Sequence, residues 1–126
     1  MNTIVLLVDR GSAWSPEEWA EEVGGNRLGS AQITIERADG CWLSIVRDDE
    51  VLDDFDEIER LRLDELVTEP VAYLVEWKGD GLTELMLRSV PASTRAAIDN
   101  DHGLLVSVHR VAGEPLDSWV KASSLP

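Results

Sequence analysis

Apolar positions along this chain change rhythm several times, and each change predicts an element. Residues 3–8, TIVLLV, are an unbroken β-branched and leucine run, so a central strand covered on both faces is expected there. SPEEWAEEVGG then carries the punctuation of a helix: Ser15 as N-cap, Pro16 at the first helical position, Glu18 to close a capping box, and Gly24 and Gly25 as the stop. Trp19 and Val23, four residues apart, should face the core. In AQITIERADGCWLSIVR, Ala31, Ile33 and Ile35 alternate with Gln32, Thr34 and Glu36, and Cys41, Leu43 and Ile45 continue one face on the return. Asp39 and Gly40 supply the positive-φ residues of a two-residue hairpin turn. Cys41 is expected as a small core residue.

The second half alternates less cleanly. Val51, Phe55 and Ile58 recur at helical spacing inside DDEVLDDFDEIE, residues 48–59, with Leu61 three further on. Acids lead and Arg60 and Arg62 follow, an order that favours one acidic helix, with an irregular acidic loop as the alternative. VAYLVEW places Val71, Tyr73, Val75 and Trp77 on one strand face. LTELMLRSV satisfies both a helical and an alternating pattern; Gly79-Asp80-Gly81 between two apolar runs favours a hairpin. A short helix from Ser93 to Asn100, a strand in HGLLVSVHR, and a tail over 112–126 with Trp119 docked on the body complete the order. Strands joined by hairpins and interleaved with helices predict a single α+β domain over 1–126, a mixed and mostly antiparallel sheet with helices packed on it.

Composition adds a surface to this scaffold. A chain of 126 residues can bury a core without disulfides or a structural metal, and 44% apolar content with five tryptophans argues for folding despite a net charge of −14. A field of that sign repels phosphate and anionic lipid and attracts basic proteins, so direct nucleic-acid and membrane binding are not expected. Cys41 stands alone, which fits a reducing cytoplasm. The N-terminal apolar run is too short for a signal-peptide core and no basic residue precedes it. No run approaches the roughly 20 residues of a bilayer span. A soluble, cytoplasmic protein is the expectation.

Catalytic signatures are missing. Asp99, Asp101 and His102 fall together in DNDHG, yet a zinc site usually adds a second histidine at helical spacing, and a turn before a strand explains the same residues. His109 reads as a partly buried imidazole with one hydrogen bond. Ser12 and Ser15 lack a strand-turn-helix nucleophile context, and no adjacent basic residue activates Cys41. GGNRLG follows a helix and so is not a phosphate loop. The 48–59 run fails as an EF-hand loop, because its sixth residue is Asp53 where a glycine must turn the chain. Asp53 and Asp56 could pair as a glycosidase would, but crowded surface acids lack the raised pKa and the cleft. No enzyme activity, cofactor or metal is expected.

Eight carboxylates in twelve residues, with no basic residue among them, remain to be explained. A solvated helix face is the plain reading. Against it, like charges at i,i+3 and i,i+4 repel by a few tenths of a kcal/mol per pair. A partner with a cationic groove would relieve that repulsion and gain association rate. Phe55 and Ile58 could add apolar anchor area, although core packing accounts for them too.

The order ITIERADGCWLSIVR, then VAYLVEWKGDGLTELMLRSVPASTRAAIDNDHGLLVSVHR, spanning residues 31–110, resembles bacterial immunity proteins of contact-dependent growth inhibition and polymorphic toxin systems. In those proteins hairpin strands lead through a "VP" to a short helix and a last strand. The resemblance implies a cognate basic toxin, a nuclease or nucleic-acid deaminase, whose cleft the inhibitor occludes. The expected partner-binding residues are Asp48, Asp49, Glu50, Asp53, Asp54, Asp56, Glu57 and Glu59. An adaptor or chaperone for a secreted effector, and a nucleic-acid mimic that blocks a DNA-binding protein, would use the same charges.

Overall fold

The computed structural model describes residues 2–125; Met1 and Pro126, the two ends of the expected domain, lie outside the described residues. Among the described residues the chain runs β1 (Asn2–Asp9), α1 (Pro16–Glu22), β2 (Asn26–Arg27), β3 (Gln32–Glu36), β4 (Trp42–Arg47), a 3-10 helix (Asp49–Asp54), α2 (Glu57–Leu66), β5 (Pro70–Lys78), α3 (Gly81–Arg88), β6 (Ala96–Asp99) and β7 (Leu105–Ser107), with short 3-10 helices at Val108–Arg110 and Leu116–Ser118. The strands form one sheet in the order β2-β3-β4-β5-β1-β6-β7, and every pairing is antiparallel. This is the expected α+β class, with no parallel pair among the described residues.

The unbroken apolar run of β1 has the predicted cause. Ile4, Leu6 and Val8 face one side of the sheet, where they meet Ile33, Ile45, Val75 and Trp77 under α1, α3 and the C-terminal segment. Leu7 faces the other side, where Ala72 and Ala97 pack against Phe55, Leu63 and Val67 of the acidic segment and α2. A strand buried on both faces loses polar positions on both.

Local chemistry sets the boundaries. Ser15 Oγ accepts from Glu18 N–H at 3.2 Å to start α1, and a Schellman pair ends it, with Gly25 N–H on the Ala20 carbonyl and Gly24 N–H on that of Glu21. Gly24 takes the required positive φ of 96°. Trp19 is buried as expected, whereas Val23 is 37% exposed because the helix has ended before it can turn inward. Tyr73 O–H donates to Glu17 Oε1 at 2.9 Å and fastens α1 to the sheet.

Several expectations are corrected. The hairpin forms, but its loop holds three residues where two were expected: Gly40 N–H bonds the Arg37 carbonyl and Gly40 takes φ 89°, so Ile33 lies opposite Ile45 and Ile35 opposite Leu43, one position away from the register a two-residue Asp39-Gly40 turn would set. Cys41 stands before the strand, half-buried against Gly79, where a Cβ would strike its Sγ. LTELMLRSV is helix α3: Leu82, Thr83, Met86 and Leu87 are buried at helical spacing, while a strand would have turned Glu84 and Arg88 to the same face as Leu82 and Met86. The helix expected over 93–100 is strand β6. Its alanines leave room for α2 on one face and for the main core on the other, and tertiary packing overrides their helical preference. The "VP" at Val90-Pro91 therefore leads into a turn and a strand, not into the helix that the immunity-protein order implied. The last strand is only Leu105–Ser107, after which Ser107 Oγ accepts from His109 N–H and the chain coils.

Residues 112–125 form more than a tail. Val111, Leu116 and Trp119 are at most 1% exposed. Asn100, 1% exposed, holds this segment with two hydrogen bonds, its Nδ2 donating to the carbonyls of Trp119 and Ala122, both at 2.8 Å, while its Oδ1 fixes its own turn by accepting from His102 and Leu104 N–H.

Candidate functional site

The 48–59 segment is two short pieces, not the single helix expected. Asp48 caps the 3-10 helix Asp49–Asp54 by accepting from Glu50 N–H at 3.1 Å. The chain then extends through Phe55, which drops into the core at 8% exposure. A new helix, α2, begins with a complete capping box: Asp56 Oδ1 accepts from Glu59 N–H at 2.8 Å, and Glu59 Oε1 accepts from Asp56 N–H at 3.1 Å. The burial of Phe55 makes the break, because one continuous helix would need the residues around it to share a single stripe.

This construction divides the eight expected contact residues by task. Asp49, although exposed, is tied to the sheet: Oδ1 accepts from Ala72 N–H at 3.1 Å and Oδ2 meets Arg47 at 3.1 Å. Burial works against its charge, but the Ala72 and Arg47 contacts prevail and hold its carboxyl below the ordinary range. Asp48, Asp56 and Glu59 are engaged as caps. Glu50, Asp53, Asp54 and Glu57 are exposed, and only Asp53 of these meets a cation among the described residues, 3.9 Å from Arg60. Ile58 and Leu61 stand beside them at 78% and 63% exposure, Ile58 between Glu57 and Glu59 and Leu61 between Arg60 and Arg62. Core packing thus accounts for Phe55 and not for Ile58.

Beside this segment lies a hollow of about 510 Å³. Its lining brings together Asp54 and Glu59 from the acidic segment and Asp99, Asp101 and His102 from the turn after β6, with Val5, Phe55 and Leu74 among its apolar walls. Cross-strand pairing places Asp99 in a row that runs Val46, Leu74, Val5, Asp99, Leu105. Burial, and then the nearby charges of Glu59 and Asp101, push the Asp99 carboxyl above its ordinary value, against a hydrogen bond from Asp101 N–H that favours the charged form. Asp101 itself takes a left-handed φ of 61°. Sequence spacing could not reveal this meeting, since Asp54 and Asp99 are 45 positions apart. The signal that was present lay in reading AAID as a strand, which would have set Asp99 on the Ala97 face.

The other candidate groups are placed plainly. His102 lies in an exposed turn, and His109 is exposed with Nε2 2.8 Å from the Thr94 carbonyl. A hydrogen bond to Asp39, with burial, pushes the Cys41 thiol up and away from a thiolate. Among the described residues no three His, Cys, Asp or Glu side chains are arranged to hold a metal ion, and no helix is long and apolar enough to cross a membrane. No protein family, curated protein or solved structure matches the chain.

Proposed function

We propose that this chain is an immunity protein, which binds a cognate basic toxin domain, a nuclease or nucleic-acid deaminase, and occludes its substrate cleft. The observation that carries the reading is the exposed carboxylate surface of Glu50, Asp53, Asp54 and Glu57, flanked by exposed Ile58 and Leu61. Acids of this kind match the lysines and arginines with which a nuclease or deaminase holds phosphate. They speed encounter by steering, and desolvated pairs at such interfaces couple by about 1.5 to 7 kcal/mol. An apolar pair among the charges supplies what charge alone lacks, a dry anchor at the centre of the contact. Inhibition by occlusion asks no chemistry of the inhibitor, and the acting residues need only be held at the surface.

The test is co-expression with the adjacent reading frames of the gene's own locus, followed by pull-down over a salt series and a viability count. The reading expects a basic partner that is toxic alone, tolerated together with this chain, and released as salt rises. A bound partner that is harmless by itself would replace this reading with an effector adaptor. Capture of several unrelated DNA-binding proteins would replace it with a nucleic-acid mimic.

A further inference from the structure

The hollow beside the acidic segment combines two chemistries that seldom meet without a ligand. Its volume, about 510 Å³, falls in the range of small-ligand pockets, roughly 300 to 1,000 Å³. Val5, Phe55 and Leu74 give it apolar walls, and Asp54, Glu59, Asp99 and Asp101 bring carboxylates from two distant stretches of chain. Asp99 matters most. It sits half-buried in a cross-strand row between Val5 and Leu105, and it forms no ion pair among the described residues. A charge partly withdrawn from water without a counter-ion costs stability, and the one backbone hydrogen bond it accepts, from Asp101 N–H, offsets that cost only in part. An arriving cation offsets that cost.

The shape of the lining selects the cation. The carboxylates stand beside the apolar walls of Val5, Phe55 and Leu74, so they suit a cation carried on an apolar stem. A guanidinium has a planar fork that can take two carboxylates at once, on a methylene stem that packs along apolar surface. Lys121 also lines the hollow but pairs with none of the acids, which leaves their charge available. We infer that the hollow is an anchor pocket for one arginine side chain of the basic partner, its guanidinium held by Asp99 and Glu59. The inference rests on the proposed function for the partner's identity; the pocket itself can be tested without the partner.

The experiment titrates N-acetyl-arginine amide into the full chain at low ionic strength, read by backbone amide shifts, beside the neutral N-acetyl-citrulline amide. Shifts are expected to concentrate at Val5, Glu59, Asp99 and Asp101. Asp99→Asn and Glu59→Gln should each weaken binding about tenfold, the loss of one charge-assisted hydrogen bond. Both retain the acceptor oxygen that serves the backbone, so the fold is kept, and the amide spectrum itself reports this. Asp53→Asn with Glu57→Gln, which neutralises acids outside the hollow, should change binding less than about twofold. Equal losses from the two sets, shifts scattered along the acidic surface, or equal binding of the citrulline probe would overturn the pocket. So would spermidine binding tighter than the arginine probe at the same residues, which reassigns the hollow to a free polyamine. The two readings fail separately. A toxic partner that binds Asp99→Asn as well as the native chain removes the anchor and leaves neutralisation standing; a probe that binds while no toxic partner emerges does the reverse.

Discussion

Against one face of the sheet, Leu43, Trp77, Met86 and Trp119 are buried to 0% exposure under α1, α3 and the C-terminal segment. Against the other, cover comes from Phe55, Leu63 and Val67 and reaches only part of the way across, so that Trp42, Val46 and Leu74 stay half-exposed. The first face holds the fold together. The second carries the charged segment, the hollow and the exposed Ile58 and Leu61. On the proposed function, stability and recognition are thereby set on opposite sides of one sheet, and a change to the second side can be large in charge while small in packing.

Substitutions should separate the faces. Trp119→Ala is expected to be the most damaging, about 4 kcal/mol by urea unfolding, because it opens a cavity in a closed core; Phe55→Ala, under a thinner cover that can settle, should cost about 2 to 3 kcal/mol. Equal losses would mean that the second face is built as tightly as the first. Asn100→Asp comes next, at about 2 to 4 kcal/mol, since it turns a carboxylate oxygen toward the Trp119 and Ala122 carbonyls that Nδ2 now serves.

Asp49 and Asp99, whose carboxyls are shifted in opposite directions, should respond to pH with opposite sign. Asp49 has its folded pKa lowered, so its contribution is present above the unfolded pKa near ~3.9 and is lost as pH falls through the folded value. Asp49→Ala should therefore cost about 1 to 2 kcal/mol near neutrality, chiefly from the orphaned Ala72 N–H, with a smaller deficit in acid. Asp99 has its folded pKa raised, by burial first and by Glu59 and Asp101 after it. Folded protein then holds the proton more tightly than unfolded protein, and stability declines as pH rises through the folded value. Asp99→Asn should raise Tm near neutrality, and the gain should vanish in acid. A loss of Tm at neutral pH would show that Asp99 serves the fold and is not held there against it.

How far the sequence disclosed this arrangement can be followed residue by residue. The β1 run, the Ser15 cap, the glycine stop and the hairpin around Asp39-Gly40 were legible because each depends on neighbours within a turn or a hairpin; the register was not, since a third loop residue shifts it by one position. α3 and β6 were exchanged. LTELMLRSV and STRAAIDN are short, carry both periodicities, and are decided by what lies across the sheet. The acidic concentration was plain, but its division was not, because the burial of Phe55 depends on Leu7 and Ala97, far away in sequence. Asp99 drew notice as a possible metal ligand beside His102; only the pairing of β6 with β1 sets it opposite Val5 and beside Glu59.

The central claim is that the exposed acids of the second face bind a basic toxin, and the most direct test is protection by a variant carrying Asp53→Asn, Asp54→Asn, Asp56→Asn and Glu57→Gln. Asp56→Asn keeps a capping oxygen, so α2 should still form. Association with the partner, measured by stopped flow or biosensor at low salt, should slow by about 10-fold or more, and cells expressing the toxin should lose protection. Native-like association and full protection would contradict the account and leave the acidic segment as a solvated surface.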